Sequence, residues 1–361
     1  MKAAVLRGVN EPLAIEDIQI SKPQGNEVLI RTAAAGICHS DLHFQTGAYL
    51  YPLPAVLGHE SAGVVEQIGP DVQHVEPGDH VITCLSVFCG RCEYCLSGRP
   101  SLCGKHGLHR GPDAPPRLAK GDETINQFLE LSSYAEQMLV HENAIVKIRK
   151  DMPLDCAALI GCGVTTGVGA VFNTARIQAG STVAVIGCGG VGLNCVQGAQ
   201  LAGASQGIAI DVVPTKLEMA KKFGATDVVN ASDGDPVEQV RELTGGGVEY
   251  SFEAIGLKVS TEQAWRMLRS GGTATIIGMI PIGTKIEIHG VDFLSERKIQ
   301  GSAMGSNRFR TDMPRYVDMY LAGRLNLDDL VSQRIGLDQV QEGFEALKKG
   351  ELARSVIIMD R

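Results

Sequence analysis

The pattern of apolar and polar positions divides the chain into two parts near residue 153. In the first part, short apolar runs such as 28–33 and 61–69 are bounded by Gly and Pro, which is typical of β-strands. Residues 72–82 place Pro77-Gly78-Asp79 between apolar runs and predict a strand, a turn and a second strand. Residues 104–127 are polar and aperiodic and predict a long surface loop. We therefore expect this part to be rich in β-structure.

Beyond residue 153, apolar strand-like runs alternate with segments of helical period. The predicted strands are 182–186, 207–211, 227–230, 248–254 and 273–277, and the predicted helices are a segment ending near 202, then 215–223, 236–243 and 260–268. This alternation predicts βαβ units and a buried parallel sheet. From about residue 299 the pattern is mixed again, and the terminal apolar run 354–359 is easiest to place in the sheet of the first domain.

Composition narrows the classes of protein without changing this division. The chain has 361 residues, 20% charged and 44% hydrophobic, as expected for two globular domains. A net charge of −8 argues against a nucleic-acid or anionic-membrane partner. The most apolar stretch, 156–172, contains four glycines and is a poor membrane span. With no export signal predicted, we expect a cytoplasmic location, where the ten cysteines favour metal binding or catalysis over disulfides.

A glycine-rich turn follows the predicted strand 182–186 and opens a helix. It consists of Gly187, Cys188, Gly189, Gly190, Val191 and Gly192. In this setting the glycines allow a tight turn and close backbone approach to a pyrophosphate at the helix N-terminus. Asp211, nineteen residues after Gly192, ends the next strand and is placed to bind a ribose 2′-hydroxyl, which favours NAD over NADP. Lys216 is a candidate to contact the edge of the ribose; the alternative is an ordinary solvated lysine. The alternative for the glycine-rich turn is that it serves packing alone.

Four cysteines within 15 residues form a candidate structural metal site. They are Cys89, Cys92, Cys95 and Cys103, so the lobe spans 89–103. Short loops of this kind let thiolates converge tetrahedrally on one Zn²⁺ and leave no open position. The alternatives are buried or disulfide-paired cysteines, or a zinc-ribbon nucleic-acid module, which would need a basic surround. We expect the site to contribute stability.

Three distant segments carry further chemistry-bearing residues. Residues 38–43 read Cys-His-Ser-Asp-Leu-His, residues 58–60 read Gly-His-Glu, and residues 161–163 read Gly-Cys-Gly. Each signal alone is weak, because a lone cysteine or histidine is more often a buried structural residue than a ligand. Their local spacing does not unite them.

Together these motifs resemble those of the zinc-dependent medium-chain alcohol dehydrogenases, over nearly the whole chain. The anchors are residues 36–41, 58–63, 161–167 and 187–192 and the four-cysteine lobe. The resemblance implies an α/β fold with a Rossmann doubly wound parallel sheet and a β-rich GroES-like catalytic domain. The expected domains are 1–162, catalytic; 163–301, NAD-binding; and 302–361, returning to the catalytic domain.

The resemblance also implies two zinc ions per chain, and it assigns Cys38, His59 and Cys162 as ligands of the catalytic one. In this family the metal acidifies a bound alcohol, whose carbon then donates hydride to NAD. Ser40 would accept the alcohol proton and pass it toward His43, which is otherwise a plain surface histidine. Asp41 would orient His59. Glu60 would ligate zinc transiently or serve as a simple neighbouring acid.

Cofactor contacts are implied for three more residues, Thr166, Arg354 and His39. Many relatives have an Arg at the position of His39 to clamp the pyrophosphate. An imidazole is a weaker, pH-dependent partner than a guanidinium, so the resemblance predicts looser NADH binding here.

By the same resemblance, Tyr49, Leu85, Phe128 and Ile280 line the substrate pocket. Their apolar character favours medium-chain or aromatic primary alcohols and their aldehydes as small-molecule substrates. The alternatives are a glutathione-dependent formaldehyde dehydrogenase, with Arg110 or Arg117 as the cation it needs, a polyol dehydrogenase, and a non-catalytic nicotinamide-binding protein. The long segment 104–132 is typical of dimeric relatives, so we expect a homodimer, with a homotetramer as the alternative.

Overall fold

The computed structural model describes residues 1–104, 107–111, 113–350 and 353–359. The chain divides into two compact units. Unit 1 comprises Met1–Cys162 and Arg308–Arg361, and unit 2 comprises Gly163–Asn307. Residues 302–307, which the sequence-based division assigned to the returning segment, are part of unit 2.

The strands, in chain order, are β1 Lys2–Leu6, β2 Ala14–Asp17, β3 Gln19–Ile20, β4 Glu27–Gly36, β5 Ala55–Val56, β6 Glu60–Ile68, β7 His80–Thr83, β8 Leu118–Lys120, β9 Glu123–Gln127, β10 Gln137–His141, β11 Ile145–Ile148, β12 Thr182–Ile186, β13 Gln206–Asp211, β14 Asp227–Asn230, β15 Val248–Glu253, β16 Leu268–Ile276, β17 Lys298–Gly301, β18 Val331–Ile335 and β19 Arg354–Ile358. The α-helices are α1 His39–Gln45, α2 Glu93–Leu96, α3 Leu154–Leu159, α4 Thr165–Gly169, α5 Gly190–Leu201, α6 Pro214–Lys222, α7 Pro236–Leu243, α8 Lys258–Arg266, α9 Phe309–Leu321 and α10 Val340–Lys349. Two π-helical segments, Ile160–Val164 and Ala170–Ala175, flank α4.

Unit 1 is built on two mainly antiparallel sheets. The described residues form one sheet in the order β11-β7-β6-β4-β19-β18, with β10 also on β4, and a second in the order β2-β1-β5-β9-β8-β3. The long strand β4 pairs with β6, and the C-terminal strand β19 joins its other edge. The pairing of Gly36 with Glu60 sets the end of β4 beside the start of β6. This register brings the residues just after Gly36 and just before Glu60 together.

Unit 2 is a parallel sheet with the strand order β14-β13-β12-β15-β16-β17 in the described residues. This is the doubly wound order, in which ligands bind at the carboxyl ends of the strands. The sheet is covered by helices, and its core includes Trp265, Phe252 and Ile208, all fully or almost fully buried. The order confirms the predicted fold class. Gly187 and Asp211 both lie at the carboxyl edge, after β12 and at the end of β13.

Two local predictions were wrong. Within the predicted loop 104–127, of which residues 105, 106 and 112 lie outside the described residues, β8 and β9 form a hairpin turned at Gly121, whose φ of +58° favours glycine. Residues 72–76 form no strand. The Gln73 N–H donates to the Glu142 carboxylate and the Glu76 N–H to that of Asp79, so side chains satisfy backbone groups that a strand partner would otherwise take.

Among the described residues, one helical stretch, Leu154–Ala175, is long and apolar enough to cross a membrane by length and composition. Its most apolar window is 89% buried inside the protein, and core helices pass the same test. The stretch is therefore weak evidence for a membrane span.

His74 in unit 1 lies between a guanidinium and a carboxylate. Arg310 Nη2 donates to His74 Nε2 at 2.8 Å, and His74 Nδ1 lies 2.7 Å from Glu142 Oε2. Because arginine has no acceptor, Nε2 must keep its lone pair, so the imidazole is neutral and donates through Nδ1. Burial, with the charge of Arg310, lowers the pKa of His74 below its ordinary value.

We predict that Arg310→Gln raises the pKa of His74, measured by NMR titration of its imidazole. A lowered pKa in the folded state means that the unfolded chain binds more protons, so wild-type stability falls as pH drops below about 6.5. The variant should lose less stability over this interval. Arg308→Gln, which removes an exposed arginine facing Asp312, is the matched control and should leave the titration unchanged. An identical pKa of His74 in all three proteins would contradict this account.

Candidate metal centres and dinucleotide-binding site

Three candidate metal ligands are buried together in unit 1. The ligand atoms of Cys38, His59 and Cys162 all lie within 4.8 Å of one another, and each residue is 5% exposed or less. Cys38 follows β4 and is the N-cap of α1, and His59 directly precedes β6. Cys162 lies in the π-helical segment that follows α3. The pairing of β4 with β6 and the π-helical segment thus bring together three residues that are far apart in sequence.

A buried carboxylate, that of Asp41, fixes the imidazole of His59. Asp41 Oδ1 lies 3.0 Å from His59 Nδ1 and also accepts from the Gly58 N–H at 3.1 Å. Asp41 Oδ2 accepts from the Tyr134 hydroxyl at 2.8 Å and from the Cys38 N–H at 3.4 Å. The carboxylate is therefore saturated with donors. It holds His59 as the tautomer with a proton on Nδ1, which leaves Nε2 to face the two sulfurs.

The surroundings favour negative charge on one of the two sulfurs, that of Cys38, whereas the hydrogen bond to Cys38 and burial hold the pKa of Cys162 well above its ordinary value. His59 Nε2 lies 3.3 Å from Cys162 Sγ, and Arg354 Nη2 lies 3.9 Å from Cys38 Sγ. Hydrogen bonding from Cys162 and the positive charge of Arg354 hold the pKa of Cys38 well below its ordinary value. Two thiolates and one oriented imidazole are a donor set that zinc prefers, so the residues present fit a catalytic zinc ion.

Glu60 and Arg354 form a buried ion pair beside this cluster. Arg354 Nε lies 3.5 Å from Glu60 Oε1, with side-chain exposures of 5% and 0%. The pair places a positive charge next to Cys38 and a carboxylate close to the candidate ligands. Transient zinc ligation by Glu60 and the cofactor contact of Arg354 both stay predictions.

Helix α1 carries the other residues predicted for catalysis. Ser40 is half-buried, with its Oγ 3.7 Å from Cys38 Sγ. His39 is exposed and His43 is half-buried, and their rings lie 6.3 Å apart because residues four apart share one helix face. Burial lowers the pKa of His43. The Tyr49 ring lies 6.0 Å from that of His43.

The residues predicted for the substrate pocket have different surroundings. Phe128 is fully buried, and its ring centroid is 6.2 Å from that of His59 in an edge-on contact. Leu85 is partly buried and packs against a core cluster that includes Val28 and Met138. Ile280 belongs to unit 2. Phe128 thus contacts a candidate ligand.

The four cysteines of the lobe converge as a second candidate site. The ligand atoms of Cys89, Cys92, Cys95 and Cys103 all lie within 4.8 Å of one another, and the Cys92–Cys95 and Cys92–Cys103 sulfur distances are 3.5 and 3.8 Å. Backbone N–H groups, first that of Arg91, lower the pKa of Cys89 to about 6. A half-exposed tetrathiolate set with this geometry fits a structural zinc ion.

The glycine-rich turn in unit 2 connects β12 to α5. Gly187 has φ +94°, a left-handed conformation, and a Cβ at Gly192 would lie only 1.7 Å from the Gly187 carbonyl oxygen. Gly189 is the N-cap of α5, and a Cβ there would meet open space. Gly190 and Val191 form the first turn of α5. Glycine is therefore sterically required at 187 and 192, whereas at 189 it keeps the approach to the helix N-terminus open.

Asp211 ties this turn to the end of β13. Its Oδ2 accepts from the Cys188 N–H at 2.8 Å, and its Oδ1 accepts from the Val212 and Val213 N–H groups at 2.8 and 3.0 Å. The residue is 8% exposed, and Oδ2, which has a single described donor, retains acceptor capacity. Lys216 is half-buried in α6.

Thr166 lies in α4 and is 7% exposed, with its hydroxyl 3.3 Å from Met304 Sδ. The following residue, Gly167, packs against α5, since a Cβ there would lie 2.4 Å from the Val191 carbonyl oxygen. The structure thus brings Thr166 close to the helix that the glycine-rich turn opens. Its contact with a cofactor stays a prediction.

Sequence reasoning missed Tyr134, which is fully buried and donates to Asp41. It lies 93 positions from Asp41, and no local pattern marks it as part of the site. The pairing of Glu60 with Arg354, two residues that were singled out separately, was missed for the same reason.

Comparisons with known proteins identify the family. Residues 24–150 match the alcohol dehydrogenase GroES-like domain, and residues 190–321 match the zinc-binding dehydrogenase family. The chain is 38% identical to the alcohol dehydrogenase class-3 of Oryza sativa subsp. japonica, covering 100% of this chain and 97% of the relative. It is also 38% identical to the "Probable S-(hydroxymethyl)glutathione dehydrogenase 1" of Schizosaccharomyces pombe, with the same coverage. Among solved structures, benzyl alcohol dehydrogenase from Acinetobacter calcoaceticus is similar, with TM-score 0.94, 33% identity and 99% of each chain covered.

The chain belongs to the zinc-dependent medium-chain alcohol dehydrogenase family. It is accordingly an oxidoreductase that acts on small-molecule alcohols or aldehydes. This confirms the family and the enzyme class that the sequence motifs indicated.

We predict that removing one ligand from each of the two candidate metal sites has different effects on activity and thermal stability. Cys38→Ser should lower the zinc content from two ions per chain to one and abolish alcohol oxidation, yet leave the thermal midpoint near that of wild type, because the paired strands β4 and β6 hold the backbone beside this buried site. Cys92→Ser should also lose one zinc but lower the thermal midpoint, because the lobe around it is half-exposed. Metal analysis and calorimetry measure both. If the two variants show the same midpoint and the same activity, the division of roles is wrong.

Proposed function

We propose that this enzyme interconverts primary alcohols and aldehydes with NAD as the hydride carrier, and that Cys38, His59 and Cys162 hold the catalytic zinc. The observation that supports this most strongly is the burial of these three ligands in one cluster with His59 held by Asp41. When bound, zinc supplies Lewis-acid polarisation of oxygen, and NAD supplies the hydride acceptor.

The side chains around the cluster perform the remaining tasks. Asp41 holds the His59 ring in one orientation. Ser40 accepts the alcohol proton through its half-buried hydroxyl, and His43, three positions on in α1, carries the proton onward. The lowered pKa of His43 keeps its imidazole neutral near pH 7, which is the form that accepts a proton. Phe128 lines the apolar side of His59.

Cofactor choice follows from Asp211 at the carboxyl edge of unit 2. Its carboxylate ends β13 beside the glycine-rich turn, where an adenosine ribose is bound in doubly wound folds. A carboxylate accepts hydrogen bonds from ribose hydroxyls and repels a 2′-phosphate. This supports NAD over NADP.

Medium-chain or aromatic alcohols are the proposed substrates. Tyr49 and Phe128 are aromatic neighbours of His43 and His59, and one similar solved structure is a benzyl alcohol dehydrogenase. The cations expected for a glutathione adduct are engaged elsewhere, since Arg110 Nη2 and Arg117 Nε lie 2.5 and 2.8 Å from the Glu27 carboxylate. Both guanidinium groups therefore already have a carboxylate partner.

A second candidate is oxidation of the glutathione adduct of formaldehyde. It is favoured by the names of two relatives, alcohol dehydrogenase class-3 and S-(hydroxymethyl)glutathione dehydrogenase. It requires a cationic side chain other than Arg110 or Arg117 to recognise the glutathione carboxylates.

A steady-state screen separates these candidates and tests the cofactor assignment. We predict a higher kcat/KM for benzyl and hexyl alcohol than for the glutathione adduct of formaldehyde, and a preference for NAD over NADP. Asp211→Ser should reduce the preference for NAD, because it removes the negative charge facing a 2′-phosphate. Turnover of the adduct alone would favour the second candidate. Absence of NAD-dependent turnover on every alcohol would contradict the proposed function.

We further propose a homodimer formed through unit 2 and a cytoplasmic location. β17 is the edge strand of its sheet, and exposed apolar side chains precede it, among them Ile282, Phe293 and Leu294 at 78%, 51% and 86% exposure. An open strand edge beside apolar side chains suits pairing with the same strand of a second copy. Six of the cysteines cluster as candidate metal ligands, a use of thiols that supports a reducing compartment.

Sedimentation equilibrium tests the dimer. Wild type should sediment with twice the mass of the chain, and Leu294→Asp should shift the distribution toward the single chain because it places a charge in the apolar contact. Leu50→Asp is the matched control, since Leu50 is 81% exposed but belongs to unit 1. A wild-type protein with the mass of one chain would contradict the proposal.

A further inference from the structure

Unit 2 has a cavity of about 360 Å³ at the amino-terminal edge of its sheet. The cavity is lined by Arg241, Thr244, the loop Gly245–Gly247, Arg269, Ser270 and Arg297. Arg241 lies in the last turn of α7, and the glycine loop directly precedes β15. Arg269 and Ser270 lie at the start of β16, and Arg297 directly precedes β17. Because the strands are parallel, this edge is the opposite one from Gly187 and Asp211. The cavity is therefore separate from the dinucleotide-binding site.

Positive charge around this cavity exceeds negative charge. It is lined by three arginines and by no carboxylate. Arg269 Nη2 lies 2.7 Å from Glu249, and Arg297 Nη1 lies 3.5 Å from Asp292. Within the described ranges Arg241 forms no ion pair, and its Nη1 donates to a backbone carbonyl, that of Arg266, at 3.2 Å. Two of the three guanidinium groups thus have a carboxylate partner, and Arg241 has none among the described residues.

One of these arginines has an unsatisfied donor. The side chain of Arg297 is 14% exposed, and its Nε is buried with no hydrogen-bond partner among the described residues. Its neighbour Asp292 is shared, because Asp292 Oδ2 also accepts from Trp265 Nε1 at 3.1 Å. Buried N–H groups without an acceptor are rare in folded proteins and destabilising. Because Arg297 lines the cavity, an anion there would balance a guanidinium whose described carboxylate partner is shared with Trp265.

The glycine loop keeps this cavity open. Gly245, Gly246 and Gly247 have φ of +65°, +138° and +131°, values that residues with a side chain rarely adopt. A Cβ at Gly245 or Gly246 would meet no atom within 4 Å, so the loop leaves space beside it. The Gly246 and Gly247 N–H groups donate within the loop, to the Arg241 carbonyl and the Thr244 hydroxyl. The donors available to a ligand are therefore the arginine side chains and the Ser270 hydroxyl.

We propose that this cavity binds a phosphate group, either as inorganic phosphate or as the terminal group of a phosphorylated metabolite. Three guanidinium forks match the several oxygens and the double charge of phosphate better than they match a monovalent carboxylate. The volume exceeds that of a phosphate ion, which leaves room for the organic part of an ester. The site is independent of the proposed alcohol oxidation.

Isothermal titration of the zinc-loaded enzyme tests the proposal at low ionic strength, with NADH saturating so that the dinucleotide site is filled. The probes are inorganic phosphate and glycerol 3-phosphate, with chloride as the negative control. Wild type should bind at least one phosphate probe saturably. Arg241→Gln should weaken that binding about tenfold, the loss expected for one charge-assisted contact. Arg241 is exposed and its side chain makes a single described hydrogen bond, so this variant should fold.

Arg266→Gln is the matched control, since Arg266 lies on α8 and does not line the cavity. It should bind the probes like wild type, and all three proteins should keep the same alcohol turnover. Tighter binding of glycerol 3-phosphate than of phosphate would identify a phosphorylated metabolite as the ligand, and the reverse would identify the free ion. The proposal is overturned if neither probe binds wild type, or if Arg241→Gln binds as tightly as wild type.

Discussion

The candidate catalytic site depends on one buried carboxylate, that of Asp41. A buried carboxylate is tolerated only when donors surround it, and Asp41 receives four, from His59, Gly58, Tyr134 and Cys38. These donors come from the N-cap of α1, from the segment before β6, and from the segment before β10. Satisfying this charge therefore fixes the position of two candidate zinc ligands relative to each other. The register of β4 and β6, in which Gly36 faces Glu60, brings those segments within reach.

Local motifs were predictable from the sequence because their geometry is local. The turn at Gly187–Gly192 and the lobe at Cys89–Cys103 each lie within 15 residues, so spacing alone limits what they can form. Cys38, His59 and Cys162 are different, since up to 124 positions separate them and only the family resemblance united them before the structure did. Tyr134 gave no signal, because its role depends on tertiary packing against Asp41. The hairpin of β8 and β9 was missed because its short strands carry few apolar residues.

The two edges of the sheet in unit 2 carry opposite charge. At the carboxyl edge, the buried carboxylate of Asp211 stands beside the glycine-rich turn, where we propose that it repels a 2′-phosphate on the ribose. At the amino edge, three arginines line a cavity with no carboxylate among its lining residues. One parallel sheet thus offers two different anion environments. The first follows from the fold, whereas the second depends on particular arginines of this chain.

The central claim is that two different sets of residues, one with two sulfurs and a nitrogen and one with four sulfurs, each hold zinc. X-ray absorption at the zinc edge of the purified wild-type enzyme tests it most directly. The account predicts a mixed shell, with sulfur at about 2.3 Å and nitrogen at about 2.0 Å, and two zinc ions per chain. A shell of sulfur alone with one zinc ion per chain would contradict it, because Cys38, His59 and Cys162 would then hold no metal.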